Sequence, residues 1–257
     1  MILVVDIGNT TIEMGVYNGK DLTGPFRIGT KLDITSDEIW LYTAQFFERK
    51  HIQVDYITDV IISSVVPQIN YTVASAFKKH YRIIPHIIGE NIPVDMKVNY
   101  DDEKMLGIDR LVDAYAAFNK IKNAVVVADF GTATTVDAVN ANGEFIGGMI
   151  FPGIKTSLDA LYEKAAKIPK IEIIKPVANS GRNTTECMQM GAYYGYLGAV
   201  EKMIYKMRSV VGLDAKVIAT GGFAKLFEKE TIFDYTVPTL QLEGVRMLFE
   251  KKYNYHI

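Results

Sequence analysis

The chain has very little cysteine and no excess of charge of one sign. Its 257 residues include a single cysteine, Cys187, and 28 Lys and Arg against 30 Asp and Glu, which gives a formal net charge of −2. A lone cysteine cannot form an intrachain disulfide, which excludes a small disulfide-stabilised scaffold. Proteins that bind the phosphate backbone of nucleic acids usually carry a basic excess. We therefore expect no nucleic-acid partner.

Long apolar segments are also absent. The apolar runs at residues 60–66 and 124–128 are far shorter than the roughly 20 residues that span a bilayer. After Met1 the chain reaches an acid, Asp6, instead of the basic and then apolar segments of a secretory signal. These features predict no membrane partner and a soluble, cytoplasmic protein.

The composition is that of an ordinary globular protein, with 49% apolar and 23% charged residues, which excludes an intrinsically disordered chain. Short β-branched runs alternate with longer stretches in which apolar residues have helical spacing. This alternation predicts an α/β fold. The β-branched runs occupy residues 2–5, 60–63, 124–128 and 216–219.

One short segment occurs twice, about half a chain length apart. Leu3-Val4-Val5-Asp6-Ile7-Gly8-Asn9-Thr10-Thr11 is echoed by Val126-Val127-Ala128-Asp129-Phe130-Gly131-Thr132-Ala133-Thr134, with Asp, Gly and Thr in register. Each copy continues into a second alternating strand and a turn, at Asn18-Gly19 and at Asn142-Gly143, which is typical of a β-hairpin. Chance similarity is the alternative for so short a pattern. Two related halves, each opened by a hairpin, explain it most economically.

The turn of this hairpin has the composition of a phosphate-binding loop. Its backbone N–H groups and hydroxyls can bind phosphate oxygens, while an Asp at the strand end holds a hydrated cation. The alternative is a plain turn whose Asp and Asn bond local backbone groups. Two copies favour a paired phosphate site. In the first copy the residues concerned are Asp6, Gly8, Asn9, Thr10 and Thr11.

A helix with a buried apolar stripe is predicted to begin near Gly107, which places Asp109 in its first turn. A carboxylate at that position favours the helix dipole. It can also act as a general base, with Arg110 beside it as an anion-binding group. The spacing alone leaves both interpretations open.

Two later segments contain conspicuous glycines. Asn183 is predicted to cap the longest helix, in which Gly191, Gly195 and Gly198 share one face. Absent side chains on that face favour close packing of another helix, including one across a subunit interface. The segment at residues 216–224 predicts a strand, a glycine turn and a helix. The N-terminus of such a helix can bind a phosphate or pack on a nucleotide base, and the alternative is a plain tight turn.

Taken together, these motifs resemble the type III pantothenate kinases, which belong to the acetate and sugar kinase, heat-shock chaperone and actin superfamily. Each motif alone is weak, but all occur in the family's order. They are Asp6-Ile7-Gly8-Asn9-Thr10, Gly107-Ile108-Asp109-Arg110, Asp129-Phe130-Gly131-Thr132-Ala133-Thr134-Thr135, Ile146-Gly147-Gly148 with Pro152-Gly153, Asn183-Thr184 and Thr220-Gly221-Gly222.

The resemblance implies an architecture and a reaction. The expected fold is α/β, with two duplicated RNase H-like domains of the actin-like ATPase type, mixed sheets flanked by helices, over residues 1–118 and 119–257. The implied reaction is ATP-dependent phosphorylation of pantothenate to 4′-phosphopantothenate, the first step of coenzyme A biosynthesis. The implied cofactors are Mg²⁺ and a monovalent cation, K⁺ or NH₄⁺, and the implied assembly is a homodimer.

The resemblance also assigns roles to residues. Asp109 corresponds to the proton acceptor, Asp129 to the ligand of potassium, and Asp6 to a residue near magnesium that binds it through water. The implied nucleotide-binding positions are Asp6, Ile7, Gly8, Asn9, Thr10, Thr11, Ile12, Glu13 and Thr132. The implied pantothenate-binding positions are Tyr100, Gly107, Ile108, Asp109, Arg110 and Thr184.

The chain departs from the family pattern at two places. Asp102-Glu103 replaces a frequent Asn-Pro, and Ile108 replaces an Ala between the Gly and the Asp. Neither change removes a reactive group, so we expect altered substrate affinity and intact catalysis. Two other functions stay open at this point: a kinase for another small hydroxy substrate, and a non-catalytic relative that acts as a transcriptional accessory or binding protein.

Overall fold

The computed structural model describes residues 1–165 and 167–254. Its contacts divide the chain into two units. The first unit contains Met1–Asp95, Lys104–Ala116 and the segment that begins at Gln241, and the second contains Met96–Glu103 and Ala117–Leu240. Division into duplicated domains at residues 1–118 and 119–257 stays a prediction.

The described residues form mixed α and β structure, in which strands and helices alternate as the sequence predicts. The strands are β1 (Ile2–Ile7), β2 (Thr11–Asn18), β3 (Asp21–Gly29), β4 (Asp59–Ser64), β5 (His86–Ile87), β6 (Lys97–Val98), β7 (Val125–Phe130), β8 (Ala133–Val139), β9 (Glu144–Pro152), β10 (Lys216–Thr220) and β11 (Tyr235–Thr236). The α-helices are α1 (Ser36–Arg49), α2 (Pro67–Tyr81), α3 (Ile108–Ile121), α4 (Ile154–Lys164), α5 (Thr184–Met190), α6 (Tyr196–Val211) and α7 (Leu240–Tyr253), and a π-helical turn at Gly191–Gly195 joins α5 to α6.

The first unit is built on a mixed sheet with the strand order β3-β2-β1-β4-β5. Strands β1, β4 and β5 are parallel, whereas β2 and β3 are antiparallel to their neighbours. Leu3, Val5 and Ile7 of β1 lie in one hydrophobic core. Side chains alternate along a strand, so Val4 and Asp6 lie on the opposite face of the sheet.

That opposite face is covered by α7, which in turn packs closely against α3. Leu242 of α7 lies next to Gly15 of β2, and the Arg246 guanidinium lies 5.2 Å from the centre of the Tyr17 ring. These contacts bring the start of α7 to the end of the sheet where β1 finishes.

The sheet of the second unit has the order β11-β10-β7-β8-β9-β6. From β9 to β11 its strands have the same order and the same relative directions as β3 to β5 of the first unit. A short additional strand, β6, pairs with β9. The two units therefore repeat one arrangement, which confirms the α/β fold with two mixed sheets.

The two hairpins differ by one residue in their turns. Asp6 is paired with Glu13, whereas Asp129 is paired with Thr135. The two copies therefore align without a gap as far as the turn. Beyond the turn the second copy is one residue shorter, so structurally equivalent residues are displaced by one position. The residue opposite the aspartate is acidic in the first unit and a threonine in the second.

The prediction of an α-helix after the Gly221-Gly222 turn is wrong. Strand β10 is followed by a single 3-10 turn, Ala224–Phe227. Ala224 and Phe227, three residues apart, are both fully buried, so one turn is enough to place both side chains in the core. This segment therefore offers no α-helix N-terminus to a phosphate.

None of the helices in the described part of the chain combines the length and the apolar character needed to cross a membrane.

Candidate active site

A row of polar side chains crosses the first sheet where β1 ends. Asp6 is paired with Ser63 on β4 and with Glu13 on β2, and Glu13 is paired with Arg27 on β3. Directly paired residues of neighbouring strands point to the same face. Arg27 Nη2 lies 2.9 Å from Glu13 Oε1. One end of the sheet therefore presents two carboxylates with a single arginine beside the outer one.

The β1–β2 turn is held in place by the residue that follows β3. The Gly8 N–H donates to Thr11 O at 3.0 Å, and the Thr30 N–H donates to Thr10 O at 2.9 Å. The Thr30 hydroxyl donates to Gly8 O at 2.7 Å. Asn9 and Thr10 are exposed at the tip of the turn. The backbone of the turn is thus fixed while its polar tip faces solvent.

Two of the expected nucleotide-binding residues have no accessible side chain. Ile7 and Ile12 flank the turn and are fully buried in the hydrophobic core. Any contact that these positions make with a phosphate is therefore a contact of the backbone.

Asp109 lies in the first turn of α3, as the sequence predicts. The Arg110 N–H donates to Asp109 Oδ1 at 2.8 Å, so the carboxylate folds back over the start of the helix. A Cβ atom at Gly107 would overlap Asp109 Oδ1. Glycine at position 107 therefore allows this placement of the carboxylate.

The fold brings the carboxylates of Asp6 and Asp109 into one electrostatic environment. Burial, the negative charge of Asp109 and that of Glu13 together raise the pKa of Asp6 from 3.8 to about 7. Like charges and loss of solvent both disfavour an ionised carboxylate. A cation bound at Asp6 would relieve this repulsion.

The residues beside Asp109 are more enclosed than the sequence suggests. Arg110 is only 8% exposed, so its side chain is largely surrounded by protein. Ile108 lies against Gly89, where a Cβ atom would be 3.6 Å from Ile108 Cδ1. Gly89 has φ of +87°, a conformation that favours glycine. The extra bulk of Ile108 is therefore accommodated next to a glycine turn.

The second unit has an equivalent strand end at Asp129. Asp129 is paired with Thr220 on the parallel strand β10, as Asp6 is paired with Ser63. Gly221 has φ of +88°, and a Cβ atom there would overlap Asp129 Oδ1. A glycine again provides the space for a carboxylate, and the sequence identified both glycines without this reason.

The β7–β8 turn is also held in place, here by the N-cap and the first turn of α4. Thr132 O accepts hydrogen bonds from the Gly153 N–H at 3.0 Å and from the Thr156 hydroxyl at 2.7 Å. The Gly131 N–H donates to Ala133 O at 3.1 Å. In both units, residues that follow the third strand of the hairpin region hold an Asp-x-Gly turn in place. These residues are Thr30 in the first unit and Gly153 with Thr156 in the second.

The remaining expected substrate residues, Tyr100 and Thr184, belong to the second unit. Tyr100 is 37% exposed, and its ring meets the Phe145 ring edge-on at 6.3 Å. Thr184 is the exposed first residue of α5. Asn183 caps that helix by accepting the Glu186 N–H at 3.0 Å, which confirms the predicted cap. The single long helix predicted after it is divided by the π-helical turn Gly191–Gly195 into α5 and α6.

Sequence reasoning missed Ser63 and Thr30. Ser63 ends a plain β-branched run, and Thr30 follows a strand with no motif around it. Their importance comes only from pairing with Asp6 and with the β1–β2 turn. Periodicity within the sequence carries no signal for such long-range pairs.

The described residues contain no group of three or more His, Cys, Asp and Glu side chains able to hold a metal. A divalent ion at Asp6 would therefore need oxygens from water and phosphate to complete its shell. Mg²⁺ binds in this way in many enzymes that use nucleotides, through one or two carboxylates and the substrate phosphates. The donor set at Asp6 fits such an ion.

Comparison with known proteins identifies the family. Residues 2–206 match the family model for type III pantothenate kinase. A type III pantothenate kinase of Geotalea daltonii is 40% identical over 252 residues, which is 98% of each chain. The chain belongs to the type III pantothenate kinases. Its reaction is therefore the ATP-dependent phosphorylation of pantothenate in coenzyme A biosynthesis, with ATP and a divalent metal ion as requirements.

Solved structures share the fold of this pantothenate kinase at low sequence identity. A Campylobacter jejuni protein described as a Baf family transcriptional activator has a TM-score of 0.59 and 19% identity over 98% of this chain and 100% of its own. The (R)-2-hydroxyglutaryl-CoA dehydratase component A of Acidaminococcus fermentans has a TM-score of 0.51 and 16% identity over 99% of each chain. At such identities the likeness shows the fold alone, so it gives no support to a transcriptional role.

The raised pKa of Asp6 predicts a gain in stability when its charge is removed. Folding penalises the ionised carboxylate, so the contribution of Asp6 to stability is fully present below its unfolded pKa and is lost as pH rises through about 7. In buffer without metal or nucleotide, Asp6→Asn should raise the free energy of unfolding at pH 8 by on the order of 2–4 kcal/mol. The gain should shrink towards zero near pH 4.

Urea denaturation of the pantothenate kinase across this pH range measures the effect. Asp55→Asn is the matched control, because Asp55 is an exposed aspartate of the same unit. Equal stability of Asp6→Asn and the parent protein at pH 8 would contradict the electrostatic account.

Proposed function

We propose that Asp109 is the general base of the kinase. It accepts the proton of the pantothenate hydroxyl, whose oxygen then attacks the γ-phosphorus of ATP in line with the leaving oxygen of ADP. The observation that carries this assignment is the placement of Asp109. Its Oδ1 is bonded to the Arg110 N–H, and its charge acts on Asp6 in the same unit.

The phosphate groups of ATP are bound on this proposal by the β1–β2 turn. The side chains of Asn9, Thr10 and Thr11 supply donors, and Thr30 keeps the backbone of the turn rigid. Asp6, Ile7, Gly8, Ile12 and Glu13 complete the proposed nucleotide-binding set. Thr132 is proposed as a further ATP contact. Preorganised donors of this kind supply much of the catalysis in phosphoryl transfer.

Asp6 is proposed to hold Mg²⁺ through a water molecule, with Glu13 next to it. When bound, Mg²⁺ neutralises charge on the phosphate oxygens during transfer. The two neighbouring carboxylates that raise the pKa of Asp6 support a cation at this place. Arg27 pairs with Glu13 and so keeps that carboxylate turned towards β3.

The pantothenate side is proposed to involve six residues. Gly107 and Ile108 shape the loop before the base, and the enclosed guanidinium of Arg110 supplies positive charge for the pantothenate carboxylate. The exposed Tyr100 and Thr184 offer hydroxyl groups that can bond polar atoms of the substrate. The complete set is Tyr100, Gly107, Ile108, Asp109, Arg110 and Thr184.

Asp129 is proposed to bind the monovalent cation, K⁺ or NH₄⁺. The carboxylate lies beside the strand neighbour Thr220, whose hydroxyl is a neutral oxygen, and against the backbone of Gly221. A site with one carboxylate and neutral oxygens suits a singly charged ion.

The kinase is proposed to be a homodimer through the face formed by α5, the π-helical turn and α6. Gly191, Gly195 and Gly198 are exposed on that face, and a Cβ atom at any of them would meet nothing within 4 Å. The neighbouring Tyr194 and Tyr205 are exposed as well. Small residues beside exposed aromatic side chains suit close approach of a second copy.

The base assignment predicts a large loss of turnover in Asp109→Asn. We expect kcat to fall by roughly 10² or more, the usual scale for loss of a general base. The KM for pantothenate and the thermal midpoint should change little, because the amide keeps the shape. A coupled ADP-release assay measures this, with Asp55→Asn as the control. Near-normal turnover of a folded Asp109→Asn would rule out the assignment.

The cation assignment predicts that Asp129→Ala loses its response to potassium. Initial rates are measured against KCl at constant ionic strength, which tetramethylammonium chloride maintains. The parent enzyme and Asp214→Ala, which alters an exposed aspartate of the same unit, should be stimulated. A potassium response in Asp129→Ala equal to that of the parent would remove Asp129 from this role.

The dimer assignment predicts that Gly195→Glu yields monomers. Open space at this Cβ position lets the single chain fold, while a buried carboxylate would disrupt the interface. Sedimentation velocity measures the change in mass. Gly29→Glu is the control, since position 29 is also open and exposed. A dimer that survives Gly195→Glu would place the interface elsewhere.

A further inference from the structure

Gln241, in the first turn of α7, joins two parts of the site that no motif connects. One orientation of its side-chain amide satisfies both ends. In that orientation Nε2 donates to Asp113 Oδ1 at 2.8 Å and to the main-chain oxygen of Asp109 at 3.0 Å, and Oε1 accepts from Ser63 Oγ at 3.3 Å. The end that faces Ser63 also lies 3.4 Å from Asp6 Oδ1.

The Gln241 side chain can contact α3 because α7 and α3 pack closely. Gly244 follows Gln241 by three positions and so lies on the same side of α7. A Cβ atom at Gly244 would lie 2.7 Å from Val112 Cγ1 and 2.8 Å from Val112 O. Glycine therefore lets α7 touch α3, and one turn earlier the Gln241 side chain meets the first turns of α3.

The bonds of the amide connect Ser63, next to Asp6, with the main chain of Asp109. Ser63 is the strand neighbour of Asp6, and the Asp109 carbonyl is part of the turn that carries the base. Ser63 is fully buried and Asp113 is 5% exposed, so these bonds form away from water, where loss of a partner is costly. A shift of about 1 Å between reacting groups can lower a rate by about 10²-fold.

We propose that Gln241 is a positioning residue that sets the distance between the phosphate-binding end of β1 and the general base on α3. The inference rests on the proposed role of Asp109. Gln241 touches neither the phosphate nor the hydroxyl, and it acts through Ser63 and the start of α3. A neutral amide suits the place, because it can bond Asp113 and Ser63 at once without adding a charge near Asp6 and Asp109.

The test is Gln241→Met, which keeps the length of the side chain and removes all of its hydrogen bonds. We expect kcat to fall roughly 10- to 100-fold, while the KM values for ATP and pantothenate stay within about threefold of the parent values. The matched control is Gln45→Met, the same exchange at an exposed position of α1. A merely structural role would lower stability and leave the kcat of the folded enzyme intact.

A second measurement separates alignment from folding. Ser63→Ala removes the group that bonds the other end of the amide. Because Ser63 also bonds the Asp6 carboxylate, we expect its effect on kcat to be smaller in a Gln241→Met background than in the parent enzyme, and not absent. If Gln241→Met does not fold, Gln241→Asn replaces it, since this shorter amide cannot span both ends and should show the same loss. Unchanged kcat in the folded Gln241 variant, or fully additive effects with Ser63→Ala, would overturn the proposal.

Asp109→Asn in the same assay distinguishes the two levels of inference. If Asp109→Asn is inactive and the Gln241 variants keep normal kcat, only the role of Gln241 fails. If Asp109→Asn retains its turnover, the base assignment fails, and the proposed role of Gln241 fails with it.

Discussion

The site of the first unit depends on holding like charges together. Asp6, Glu13 and Asp109 come from a strand, its hairpin partner and a distant helix, and their mutual repulsion together with burial raises the pKa of Asp6 to about 7. Such a cluster opposes folding in the absence of a cation. The surrounding fold must supply the compensating stability, and the buried strands β1 and β4 with the helices on both faces of the sheet do so.

Local patterns account for most of the fold. The β-branched runs became β1, β4, β7 and β10 because fully buried central strands need such residues, and the repeated Asp-x-Gly turns became the two hairpins. The α-helix expected after Gly221-Gly222 is a single 3-10 turn, Ala224–Phe227, whose first and last side chains are buried. Tertiary packing of this kind is not encoded in the spacing of neighbouring residues.

The site was predictable only where its residues are consecutive. Asp6 and Asp109 stand within short motifs, so their chemistry can be anticipated. Ser63, Thr30 and Gln241 contribute through contacts with residues far away in the chain. Each is a common polar residue in an unremarkable segment, and Gln241 lies beyond residues 2–206, which carry the family match. Only the packing of α7 on α3 gives Gln241 its partners.

The repeat also relates the two cation sites proposed for the kinase. Both units place an aspartate at a strand end beside a hydroxyl residue on the parallel strand, Asp6 with Ser63 and Asp129 with Thr220. The difference lies across the hairpin, where Glu13 faces Asp6 but Thr135 faces Asp129. Coulombic attraction grows with the number of carboxylates, so the first site suits a divalent ion and the second a monovalent one. On this proposal, the difference between Glu13 opposite Asp6 and Thr135 opposite Asp129 is enough to separate the two roles.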